Sequence, residues 1–272
     1  MMTNKSREYH PLFFLGALGA GGLAVTFFLY FMFLTEHPDT PLPAFHHLAA
    51  LWQSGDWATR VLMSTGLTGL IAMAALHIRL LVWNLLRFRR FRRTEAYANL
   101  RANGGDAVLM AVPLTLAMSI NVLFILGSMF VPGLWSVVEY LFPLALLGFL
   151  AVGVYALRIY GSYMVRLLTT GSFDFVANAG LGQLLPIFAF AMIAVGFAAP
   201  GAMSHHVETN AVGMFLSLFF LSLAVLLGMV KFVLGIGSML RHGLSETASP
   251  SLWIMIPVLT LFGITVIRLT MG

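Results

Sequence analysis

Polar residues are sparse along this chain, and they gather between long apolar runs. Seven such runs stand out, at about 12–34, 59–84, 107–131, 135–158, 182–200, 210–236 and 251–270. Each approaches the roughly 20 apolar residues that a helix needs to cross a bilayer core of about 30 Å. The runs show no two-residue alternation and are too long and uniformly apolar for barrel strands. They predict an all-α, polytopic membrane protein of about seven transmembrane helices.

Inside that pattern a proline returns at nearly constant spacing. AVPLTLAMS surrounds Pro113, LLPIFAFAM surrounds Pro186 and MIPVLTLFG surrounds Pro257, separated by 73 and 71 residues. Each opens a span, and the first two are followed by a second apolar span and a polar, basic segment. This predicts one transmembrane domain over 1–272, built from helix hairpins: repeats at about 11–106, 107–179 and 180–248, and a half repeat at 249–272. Proline in a membrane helix frees backbone carbonyls, which are tolerated only against protein or a water-lined cavity. Kinked odd-numbered helices around a central axis are therefore expected, as in many conduits. Pro143, in the fourth span, departs from the pattern.

Residues four and eight beyond each proline share its helical face. Those faces read Pro113, Ala117, Asn121; Pro186, Phe190, Ala194; and Pro257, Leu261, Thr265. If they converge on the axis they line a pore, and Phe190, the one large aromatic among them, is a gate candidate by steric block and dewetting. The other reading of Phe190 is packing, since the chain holds 23 phenylalanines. The first span carries glycines instead (Gly16, Gly19, Gly21, Gly22), which let backbones approach closely.

Charge orients the bundle. With the N-terminus cytoplasmic, that side collects 13 Lys and Arg residues, and the other side only Arg60 and Arg268. The positive-inside rule then places the N-terminus in the cytoplasm and the C-terminus in the periplasm, for a multi-pass protein of the cell inner membrane. RFRRFRR at 87–93 directly follows a span, so it is read as a topogenic, headgroup-contacting segment rather than a nucleic-acid site. The first apolar run lacks a small-x-small cleavage pattern after it and is expected to remain as an anchor. Lys231 and Arg158, near inner helix ends, either snorkel to headgroups or draw an anion toward an inner vestibule. Glu139 is read as a local cap or pairing group, and no acidic residue lies mid-span in an odd-numbered helix.

The chain has no cysteine, which excludes disulfides and thiolate metal sites. His77 alone lies well inside a span, near its inner end, whereas a membrane b-type haem commonly takes two axial histidines from facing helices. His46, His47, His205 and His206 fall on the predicted outer side, where paired histidines in wet loops are read as polar loop residues. No metal site, cofactor or catalytic residue is assigned, and no HExxH, GxSxG or P-loop pattern points to an enzyme.

The order of features resembles the tellurite-resistance/dicarboxylate transporter (TehA / slow anion channel) family. The likeness is carried by a short PLFF segment before a glycine-rich first helix, and by LVWNLLRFRRFRRTEAYANLRAN leading into AVLMAVPLTLAM. ALRIYGSYMVRLLTTGSFDF at the inner end of the fourth helix, a mid-helix proline in the fifth and SPSLWIMIPVLTLFG in the seventh complete it. The resemblance spans essentially the whole chain through order and loop length rather than one diagnostic motif. It implies a pore for small inorganic anions or organic acids, with five hairpins about a pseudo-fivefold axis and subunits that often form trimers. The chain departs from the family in having seven spans where ten are expected. The family's gating phenylalanine lies in the ninth helix, so no residue here inherits that role. Four inner helices would leave the barrel open on one side, to be completed by another chain, by a homo-oligomer or by a separately encoded segment, unless the chain is a truncated relic. The expected partners are thus a small anion, the lipid bilayer and further protein subunits, with no nucleic acid. The alternative function is a non-transporting membrane subunit anchoring a redox or quinone-linked complex.

Overall fold

The structure is a computed structural model that describes residues 9–102, 105–170, 181–244 and 246–271. The tail with Lys5 and Arg7, the GSFDF stretch of the family resemblance and the boundary between the second and third repeats lie outside these residues. The described residues form helices joined by short connections, with no strand among them, and seven helical stretches are long and apolar enough to cross a membrane. It is an all-α, multi-pass membrane protein.

The α-helices in chain order are α1 (Phe14–Leu34), α2 (Phe45–Ser54), α3 (Trp57–Phe91), α4 (Glu95–Ala102), α5 (Ala111–Phe130), α6 (Val138–Thr170), α7 (Leu185–Met203), α8 (Val207–His242) and α9 (Met255–Met271). The seven apolar ones are all but α2 and α4. Two run well beyond the expected ends. α3 has 35 residues and α8 has 36, about 50 Å at the rise of an α-helix. RFRRFRR therefore begins on α3 rather than after it. Leaving the bilayer removes the obligation to be helical but does not end a helix, and leucine and arginine favour its continuation. The α3 N-terminus is capped by Asp56, whose carboxylate accepts the Thr59 N–H at 2.8 Å.

Each of the three recurring prolines sits at a change of helix type. Residues Gly105–Met110, Leu181–Leu184 and Glu246–Ile254 are 3₁₀, and the α-helices that follow carry Pro113 third, Pro186 second and Pro257 third. In a 3₁₀ turn each carbonyl bonds three residues ahead, so the N–H that proline lacks is missed least at this junction. Pro186 is accordingly a first-turn residue of α7, just after a 3₁₀-to-α junction, and not the mid-helix proline expected. The 3₁₀ segments before α7 and α9 are joined directly, since Leu181 N–H donates to Ser251 Oγ at 2.9 Å. A tight turn with Gly133 at φ 71°, a backbone region that favours glycine, links α5 to α6.

The odd-numbered spans touch in chain order, α1 to α5, α5 to α7 and α7 to α9, while α3 packs on α1 and α8 on α7. α7 holds the middle and contacts α5, α6, α8 and α9. In its most apolar stretch 89% of residues are buried, against 17% in the stretch containing α9. α7 and α8 meet so closely that a Cβ on Gly213 would stand 2.7 Å from Gly201 N and 2.9 Å from its Cα. Ser217 Oγ donates to Ala194 O at 2.9 Å along the same seam. α6 is tied at both ends. Buried Asp106 pairs with Arg166 of α6 and with Arg101, and Glu139 accepts from Ser204 Oγ (2.7 Å) and His205 N–H (2.9 Å).

Gly213→Ala is expected to separate α7 from α8 at a cost of about 1–3 kcal/mol, because the obstructing atoms are backbone. Gly263→Ala in α9, where a Cβ meets nothing within 4 Å, should be neutral or slightly stabilising. Thermal unfolding of the two variants in detergent measures the contrast, and equal shifts would show that this contact does not matter.

Candidate functional site

The bundle has an arginine-rich end, with Arg87, Arg89, Arg90 and Arg166, and a histidine end, with His37, His46, His47, His205 and His206. In the histidine half, where α1, α5, α6, α7 and α9 converge, lies a cavity of about 260 Å³. Its wall is almost wholly apolar. Val25, Phe28 and Met32 of α1 form one side, and Phe142 and Phe149 of α6 another. α7 contributes Met192, Gly196, Pro200 and Met203, and Leu42 of the α1–α2 connection borders the cavity at the histidine end.

Three polar features interrupt this wall. Arg268 of α9 follows Leu261 and Ile264 on the lining face at the spacing of helical turns, and its Nη1 donates to Val195 O at 3.2 Å. No described carboxylate pairs with it. Asn121 of α5 donates from Nδ2 to the thioether of Met192 at 3.5 Å, a weak acceptor. Pro200 lies inside α7 and has no N–H to give the carbonyl of Gly196, one turn back. Both residues border the cavity, so the interrupted backbone bond is beside it.

Of the residues expected on the lining, Asn121 and Leu261 border this cavity. Pro113 and Ala117 are buried, and the neighbouring Thr115 hydroxyl bonds Phe14 O of α1. Thr265 is buried with its hydroxyl on Leu261 O, and Pro257 is half-buried. Pro186 is buried at the start of α7, and Ala194 faces Ser217 of α8. Phe190 is fully buried between α6 and α8, edge-on to Tyr160 with ring centroids 5.6 Å apart and 6.1 Å from Phe220.

Of the three polar features of the cavity, the lining expected from the proline faces includes Asn121 but neither Arg268 nor Pro200. Arg268 was legible as one of two basic residues on the sparsely charged side, in helical register with Leu261. The fifth apolar run stops at Pro200, whereas α7 continues through it to Met203.

The histidine end is fastened by a second polar group. Asp39 takes hydrogen bonds from Nε2 of His46, at 3.0 Å, and from Nε2 of His47. With Asp39, these rings bring possible metal-ligating atoms within 4.8 Å of one another. However, Nδ1 of His47 accepts the Ala44 N–H at 3.1 Å, which puts the proton of the neutral ring on Nε2, pointing at Asp39 where a metal would sit. The chemistry is that of a hydrogen-bonded clip. It holds the 35–44 connection against α2, while Ser128 Oγ of α5 donates to Pro43 O at 2.7 Å. Leu42 is thereby set into the cavity wall. Deep in the bundle, His77 uses both ring nitrogens, with Nδ1 2.8 Å from Ala17 O and Nε2 2.9 Å from Ser119 Oγ, and so joins α1, α3 and α5.

Compared with family models, curated proteins and solved structures, the chain matches none.

Two outcomes follow from this geometry. The His47 hydrogen bond chiefly holds the Asp39 carboxyl below the usual carboxylate range. A depressed folded-state pKa contributes stability above the ordinary value and loses it as pH falls through the folded one. Hydrogen-exchange protection of 37–48 should therefore persist at pH 5 and fail only below about pH 4. Asp39→Asn should show reduced protection already at pH 7. Phe190→Ala, which empties a packed aromatic site, is expected to lower unfolding stability by about 3–5 kcal/mol; a stability loss under about 1 kcal/mol would mean the ring is loosely held.

Proposed function

We propose that this chain binds a small anion in the cavity beside α7 and passes it across the membrane, as an anion channel or transporter. The observation that carries this reading is Arg268. Its guanidinium borders an apolar cavity within a membrane span, and the protein acceptor given to it is a backbone carbonyl. Placing a cation at membrane depth costs several kcal/mol by most measures, so such a residue is by default a candidate for handling ligand. An arginine there attracts anions and disfavours cations.

The order of contacts adds support. α1, α5, α7 and α9 follow one another with α3, α6 and α8 packed alongside, an order that suits the resemblance to the tellurite-resistance/dicarboxylate transporter family. That relationship, residence in a cell inner membrane and a cytoplasmic N-terminus are all part of the proposal. The alternative, a redox-anchoring subunit, has less support, since the imidazole nitrogens of the one deeply placed histidine, His77, are both taken by protein groups.

Purified protein in liposomes tests the reading through reversal potentials under opposed anion and potassium gradients. Anion-selective flux is expected, and Arg268→Gln should reduce it about tenfold or more, the worth of one charge-assisted hydrogen bond. Cation-selective current, or anion flux indifferent to Arg268→Gln, would overturn the assignment.

A further inference from the structure

Resting on that reading, we propose that the cavity selects its anion: a monocarboxylate carrying a compact hydrocarbon body of about five to nine carbons. The argument rests on volume, charge and lining.

An apolar cavity of about 150 Å³ accommodates benzene, with its six heavy atoms. In proportion, the 260 Å³ here accommodates about ten. That is the size of phenylacetate, octanoate or hexanoate, and it is far more than a halide needs.

The guanidinium of Arg268 supplies one positive charge, in a planar fork that matches a single carboxylate. Among the described residues no other cationic side chain borders the cavity. A second carboxylate on the ligand would have to leave water without a partner, at a penalty of several kcal/mol. A bare halide would give up its hydration to the same guanidinium without covering any apolar surface.

The remaining wall fits a hydrocarbon. Phe28, Phe124 and Phe149 present aromatic surface, and Met32, Met192 and Met203 present flexible thioethers that adapt to irregular shapes. Asn121 spends its Nδ2 on a sulfur, a bond that a carboxylate oxygen readily replaces. Arg268 lies toward the histidine end of α9, so the charged group of the ligand would sit toward that end and its body toward the bundle centre.

The same carboxylate chemistry could arrive from water as a short acid or from the bilayer as a fatty acid. The clip-held Leu42 and the limited volume of the cavity favour the short acid. Equilibrium binding to the full chain in nanodiscs distinguishes the sources, with phenylacetate, hexanoate, succinate, chloride, palmitate and the neutral isostere phenylacetamide as probes. Phenylacetate and hexanoate should bind at least about tenfold more tightly than the other four, as one charge-assisted hydrogen bond allows. Arg268→Gln should abolish the preference for phenylacetate over phenylacetamide, while Arg268→Lys should keep part of it. Ala199→Phe, which fills part of the cavity, should weaken phenylacetate more than propionate.

Tightest binding of palmitate would overturn the proposal in favour of a lipid groove. Equal binding of phenylacetamide and phenylacetate would overturn it by showing that the charge is not read. Tighter, Arg268-dependent binding of succinate or chloride would overturn the monocarboxylate inference and leave the anion reading intact. If no probe binds wild-type protein of native thermal stability, both fail.

Discussion

Inside a bilayer there is no water for a polar backbone to fall back on, and no hydrophobic effect to drive apolar helices together. What remains is close packing, and in this protein it is concentrated on α7. The sequence of that helix, LPIFAFAMIAVGFAAPGAM, alternates small residues with a few large ones. Ala189, Ala191, Ala194 and Ala198 are buried to within one per cent of completely, so neighbouring backbones come near. The Gly201–Gly213 contact is the extreme case. Large residues then fill what the small ones leave, with Phe197 stacked on Phe220 at 5.7 Å and Phe149 set against Gly196.

Charged groups are sorted by the same constraint. Asp106, Glu139 and Asp39 sit toward helix ends, and each is satisfied by several donors that bridge elements: Arg101 and Arg166, Ser204 and His205, His46 and His47. They act as fastenings. Around Asp106, the buried one, removing a partner leaves the carboxylate short of bonds where water is scarce, which makes that cluster costly to disturb. Arg268 differs from them. Its described protein acceptor is one backbone carbonyl and its setting is a cavity, which is why the functional reading rests there.

Proline serves two purposes. At 113, 186 and 257 it marks the change from 3₁₀ to α, where its missing N–H does least harm. At 200 it stands late in α7, with the cavity beside the carbonyl it leaves unserved. The spacing of the first three was visible as a repeat, and that repeat still organises the odd-numbered helices. The cavity, however, lies beside the fourth.

Length and composition alone determined that seven helices cross a membrane, because the bilayer demands about 20 apolar residues and the chain supplies them seven times. Helical periodicity also told which residues share a face, such as Pro186, Phe190 and Ala194, or Leu261 and Arg268. It could not tell what each face meets, because a face is a property of one helix and a neighbour is a property of the packing. Only the tertiary structure directed Phe190 toward Tyr160 and Phe220, continued α7 through Pro200, and set Arg268 beside a cavity lined from five helices. Those outcomes depend on how near two backbones can come, which small residues such as Gly201 and Gly213 permit and only their partners make specific.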